Sequence, residues 1–85
     1  MNRQMNNKEI YYYPKSSKRI HKAVIRYPHY QRAQRDKYRI IGRVDIYNDY
    51  GEVILTRKNL SLAEIKVIED NIKRIGTILY TTEQV

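Results

Sequence analysis

"YRIIGRVDIYNDYGEVILTR", residues 38–57, decides how this chain folds. Tyr38, Ile40, Gly42, Val44 and Ile46 occupy every second position, with Arg39, Ile41, Arg43, Asp45 and Tyr47 between them. Successive side chains leave a strand on opposite sides, so this period of two predicts a half-buried strand. Asn48 and Asp49 suit the start of a type I turn, and Gly51 suits a left-handed position. The chain should therefore reverse at "NDYG" with a bulge at the glycine. "EVILTR" (52–57) returns as the second strand, with Val53 and Leu55 on one side and Ile54 on the other.

Beyond the hairpin lies "LSLAEIKVIEDNIKRIG", which carries the marks of one helix over 61–75. Ser61 and Glu64 can satisfy each other's amides in a capping box, while Leu60 and Ile65 flank it as a hydrophobic staple. Ile65, Ile68, Ile72 and Ile75 recur at helical spacing, with Leu62 extending the apolar stripe. Glu64 in the first turn and Lys73 and Arg74 in the last complement the helix dipole. Gly76 stands where a terminating glycine belongs. The remaining acids, including Glu69 beside Lys73, read as solvated. "TILYT" (77–81) follows as a strand, with Ile78 and Tyr80 on one side and Leu79 on the other.

Neither hairpin nor helix can bury its apolar side alone, and packing one on the other serves both. The fold class is α+β: a small antiparallel sheet of the hairpin 38–57 and strand 77–81, a further strand near 20–27, and one amphipathic helix packed on it. At 85 residues a single core is close to the minimum. Help is expected from N-terminal segments or from self-association as a homodimer, with Ile41, Ile54 and Leu79 near the interface.

The other half differs in character. Residues 1–43 carry twelve Lys/Arg against two acids, and residues 44–85 carry five against seven. Six of the nine tyrosines also precede residue 44. Basic and aromatic residues thus gather at one end, which reads as an interaction arm on a folded unit. The expected division is a flexible, Tyr-containing arm over 1–19 and a single domain over 20–85. "IHKAVIRY" (20–27) alternates as an edge strand halted by Pro28. "HYQRAQRDK" (29–37) reads as a short helix with Arg32 and Arg35 on one side.

Cations interleaved with tyrosines suit nucleic acid. Lys and Arg neutralise phosphates and release counterions, and tyrosine rings stack on exposed bases. The candidate contacts are Lys15, Lys18, Arg19, Lys22, Arg26, Tyr27, Tyr30, Arg32, Arg35, Lys37, Tyr38, Arg39 and Arg43, with Tyr11, Tyr12 and Tyr13 as further stacking residues. Arg39 and Arg43 should project from one rigid strand. No recognition-helix or zinc-finger spacing is present, so sequence-specific readout is not expected. The same Arg and Tyr residues would equally serve a protein interface.

Catalysis has no support. Cysteine is absent, and the two histidines lack partners at ligand spacing, so neither a metal nor another cofactor is expected. No apolar run approaches the ~20 residues of a membrane span, and "MNRQMNNKEI" lacks the apolar core of a secretory signal, so a cytoplasmic location is expected. The protein reads as a non-enzymatic binding module.

A basic Arg/Tyr-containing head followed by strand, hairpin, strand, helix and strand resembles the layout of small phage-encoded anti-CRISPR proteins that inhibit Cas9. The resemblance covers residues 38–81 plus the basic head. It implies a second role, as an inhibitor or adaptor that binds a host nucleic-acid-handling protein, with Cas9 as the candidate target. No functional residue is carried over from it.

Overall fold

The computed structural model describes residues 7–15, 17–31, 38–40 and 42–84. In chain order its elements are β1 (Asn7–Pro14), β2 (His21–Arg26), β3 (His29–Gln31), β4 (Tyr38–Ile40), β5 (Gly42–Tyr47), β6 (Val53–Leu60), α1 (Leu62–Ile75) and β7 (Gly76–Gln84). Five strands make an antiparallel sheet in the order β6-β5-β2-β1-β7, and β3 pairs with β4. The α+β reading holds, with one helix on one side of the sheet.

The central hairpin forms through the chemistry of its turn. Asn48 Oδ1 accepts from the amides of Tyr50 and Glu52, each at 2.9 Å, and Gly51 takes φ 84°. That is a type I turn followed by a left-handed residue, which matches the twist of the flanking strands. Helix α1 starts on the expected capping box: Ser61 Oγ accepts from the Glu64 amide at 3.2 Å, and Glu64 Oε1 accepts from the Ser61 amide at 2.8 Å. Gly76 ends the helix in an extended conformation (φ −136°), so its glycine serves a different need from a left-handed cap. It lies opposite Pro14, and a Cβ there would stand 2.7 Å from the Tyr13 carbonyl oxygen.

The N-terminal half departs from expectation. Asn7–Pro14, placed in the flexible arm by composition, is β1, lying between β2 and β7. Ile10 and Tyr12 alternate into the core at 2% and 4% exposure, and burying two large side chains holds the segment in place. Strand β2 is the third of five and not an edge, because Pro28 falls beyond its end and removes no ladder bond from it. His29–Gln31, expected in a short helix, is the strand β3 against β4; Arg32, Arg35 and Lys37 lie outside the described residues. The expected continuous strand over 38–47 is two strands, β4 and β5, and Ile41 between them is also outside the described residues.

The core unites Ile10, Tyr12, Ala23, Ile25, Val44 and Leu60 of the sheet with Ile65 and Ile72 of α1, and Tyr27, Ile46, Ile68 and Ile78 pack around it. The helical stripe is narrower than its sequence suggests, since Leu62 and Ile75 are exposed. Glu69, expected to be solvated, instead faces the sheet. It accepts from the Tyr27 hydroxyl and lies 3.4 Å from Lys8 Nζ, tying the middle of the helix to β1 and to the end of β2.

Two of the sheet's three register shifts among the described residues set which side chains reach that core. Asn59 is the extra residue between the pairs Arg43↔Lys58 and Gly42↔Leu60, and it takes φ 57°, a region Asn tolerates better than most residues. The shift brings Leu60 into the core just before the helix cap. On β7 the register moves between the pairs Tyr11↔Tyr80 and Tyr12↔Ile78, leaving Leu79 as the extra residue. Ile78 and Tyr80, expected on one side, therefore go to opposite sides, Ile78 to the core and Tyr80 to the ring of Tyr11.

Candidate nucleic-acid interface

Because Ile10 and Tyr12 face the helix, Tyr11 points to the opposite side of the sheet, and so do its cross-strand partners. Paired residues share a side, so the register Tyr47↔Lys22↔Tyr11↔Tyr80 aligns four side chains across β5, β2, β1 and β7. They interact as a continuous row. Lys22 Nζ stands 5.1 Å from the Tyr47 ring centre and 5.9 Å from that of Tyr11. Tyr11 and Tyr80 stack with ring centres 4.5 Å apart and planes 16° apart. No described element lies over this row.

Two residues further along the strands, Glu9, Val24, Asp45 and Thr56 form the next row, and beyond it Asn7, Arg26, Arg43 and Lys58 form a third. The two acids of the middle row are already engaged. Glu9 accepts from the Tyr11 hydroxyl at 3.0 Å, and this bond, followed by burial and the Glu9 charge, raises the Tyr11 phenol above its ordinary value. Asp45 accepts from Arg43 Nε at 2.9 Å and from the Thr56 hydroxyl at 2.7 Å. The open side of the sheet therefore carries an aromatic–cationic row and a row with the exposed cations Arg26, Arg43 and Lys58, separated by two hydrogen-bonded carboxylates, one of them paired to Arg43.

Burial alone would raise the Asp45 carboxyl, yet the bonds from Arg43 and Thr56 and the charges of Arg43 and Arg26 outweigh it and hold it below its usual range. A group whose folded value is depressed stabilises the fold at pH above its unfolded value and loses that contribution as pH falls through the folded one. The wild type is thus expected to exceed Asp45→Asn in stability at neutral pH, with the gap closing below pH ~4. Urea titrations of both proteins at several pH values would read this, and a gap that widens in acid would contradict it.

The sequence-predicted residues divide among several places. Lys22, Arg26 and Arg43 lie on the open side, with Arg43 also paired to Asp45. Lys15, Lys18 and Arg19 are exposed in the β1–β2 connection, beyond the end of β1. Arg19 is engaged there: its guanidinium donates to Asp49 at 3.1 Å and to the Tyr50 hydroxyl at 3.2 Å, knitting this connection to the β5–β6 turn. Tyr12 belongs to the core. Tyr27 is half-buried against Glu69 on the helix side, and burial followed by that hydrogen bond raises its phenol strongly. Neither ring is available for stacking on an open face. Tyr30 pairs with Arg39, and Tyr38 with Gln31, in the β3–β4 ribbon.

Tyr47, Lys58 and Tyr80 were missed. All three lie outside the basic half of the sequence and join Lys22 and Tyr11 only through strand register. The alternation of 38–47 already placed Tyr47 opposite the Val44 side, which was the one available signal. No family model, curated protein or solved structure matches this chain. Among the described residues no helix is long and apolar enough to cross a membrane.

Proposed function

We propose that this chain is a non-enzymatic module that binds single-stranded nucleic acid across the helix-free side of its sheet. The observation that carries this reading is the row Tyr47–Lys22–Tyr11–Tyr80, which spans four adjacent strands. Sheets that present aromatic side chains on an open side can stack successive unpaired bases, and stacking tolerates any sequence because every base has a π-face. Arg26, Arg43 and Lys58, two pairs along the same strands, are placed to meet the phosphates of a strand lying over the row.

Fluorescence anisotropy with a labelled single-stranded oligonucleotide tests this. Wild type should bind at ~50 mM salt and weaken steeply towards ~200 mM, as counterion release requires. Tyr11→Ala should lower affinity by about 5- to 150-fold, the effect of ~1–3 kcal/mol per stacked base. Lys66→Ala, on the exposed outer side of α1, should leave it unchanged. Melting curves of the variants separate binding from folding, since a cross-strand pair contributes only ~0.2–1 kcal/mol. Absence of binding at the lower salt, or equal affinity of the two variants, would sink the proposal.

One observation favours the second reading, a protein inhibitor or adaptor. Strand β6 is an edge, and its Val53, Ile54 and Leu55 are all exposed beside the unpaired backbone groups of that edge. Such an edge can accept a strand from a protein partner. Co-purification after nuclease treatment distinguishes the readings, because one stoichiometric protein surviving digestion supports the inhibitor.

A further inference from the structure

At the turn end of the sheet, Tyr13 from β1, Lys15 and Lys18 from the β1–β2 connection, and Arg74 and Thr77 from the α1–β7 junction line a cavity of about 560 Å³. Its lining carries three cations and no carboxylate among the described residues. None of the three is in an ion pair among the described residues, where the salt bridges use Lys8, Arg19 and Arg43. Arg74 has a companion in Asn71, whose Oδ1 accepts from Nη2 at 2.6 Å; this orients the guanidinium and leaves its other donors for a ligand. A basic residue in the last helical turn is accounted for by the helix dipole, but Lys15 and Lys18 belong to a separate segment that the dipole does not explain.

The cavity also has a direction. Tyr13 follows Tyr11 by two residues on the same strand and the same side of the sheet, about 7 Å along it. The aromatic row and the cavity are therefore neighbours, and a chain lying over the row can end in the cavity. The partial negative charge of the α1 C-terminus, about −0.5, offsets only part of the three cations gathered here, and a terminal phosphate of charge about −1.5 to −2 is the compact group that would balance the remainder.

We propose that this cavity holds the phosphorylated terminal nucleotide of a bound strand, its phosphomonoester among Lys15, Lys18 and Arg74 and its base against the Tyr13 ring. The proposal rests on the reading of the sheet as the strand's track, and two independent probes keep the two apart. The first compares one oligonucleotide sequence with a 5′-phosphate, with a 3′-phosphate, and with hydroxyls at both ends. One phosphorylated form should bind about tenfold or more tightly than the hydroxyl-ended strand, as charge-assisted hydrogen bonds allow. Lys18→Ala/Arg74→Ala should bind all three alike. The second probe needs no strand: adenosine monophosphate, and not adenosine, should shift the amide resonances of Tyr13 and Thr77. If no oligonucleotide binds but the monophosphate gives these shifts, the cavity stands and only the sheet reading falls. End phosphates without effect, together with unmoved resonances, overturn the cavity proposal whatever the sheet does.

Discussion

A chain that begins at Lys15 is expected to lose the cooperative fold, because removing residues 1–14 takes out β1. That strand is what connects β2 to β7 in the sheet, so without it β7 has no partner among the described strands. Ile10 and Tyr12 leave the core with it, and the Lys8–Glu69 contact that tethers the helix disappears. A domain's net stability is only about 5–15 kcal/mol, and the loss of two buried large side chains and two strand ladders is of that order. Ile10→Ala alone should cost about 2–5 kcal/mol. Circular dichroism melts and amide dispersion in NMR spectra check the result. A truncated chain with a sharp unfolding transition and dispersed amides would show that the sheet does not depend on β1.

Gly42→Ala is expected to destabilise by about 1–3 kcal/mol through overpacking at the seam between sheet and helix. An added Cβ would stand 2.6 Å from Ile65 Cδ1 and 2.7 Å from the Leu60 carbonyl oxygen. The isoleucine can turn aside, but the carbonyl belongs to the backbone that enters the helix cap and cannot. A shift of about 4–8 °C in melting temperature per kcal/mol makes the effect easy to measure in a chain of this size. Gly51→Ala has a different cause, since nothing stands within 4 Å of the added atom and only the left-handed φ of 84° opposes it. An unchanged melting midpoint for Gly42→Ala would mean that the helix does not sit as closely on β5 as described.

The parts of this structure legible in the sequence are those whose causes are local. The β5–β6 turn follows from Asn48 and Gly51, and the start of α1 from Ser61 and Glu64, each within four or five residues. Composition assigns the strand-prone stretch of β1 to a flexible arm because tyrosine serves both environments: Tyr12 is core and Tyr11 is surface, and composition cannot tell them apart. The alternation of Ile10 with its neighbours was the usable sign. The candidate interface was only half legible for a related reason. Lys22, Arg26 and Arg43 stand within the basic half, whereas Tyr47, Lys58 and Tyr80 arrive from distant segments through register. The Leu79 bulge that turns Tyr80 away from the core depends on how β7 meets β1, and no pattern within 77–81 encodes it.

The order of strands also dictates when the sheet can be finished. Strands β1, β2, β5 and β6 can pair in the order in which they are made, each against a predecessor already present. Strand β7 instead reaches past all of them to lie beside β1, with Gln84 opposite Asn7. The first described strand thus waits for the last before its second ladder can close, and α1 must cross from one edge of the sheet to the other to bring them together. Contacts so far apart in sequence carry a large loop-closure entropy and slow the search for the native pairing. On a ribosome, this sheet would stay open along β1 until the end of β7 had emerged.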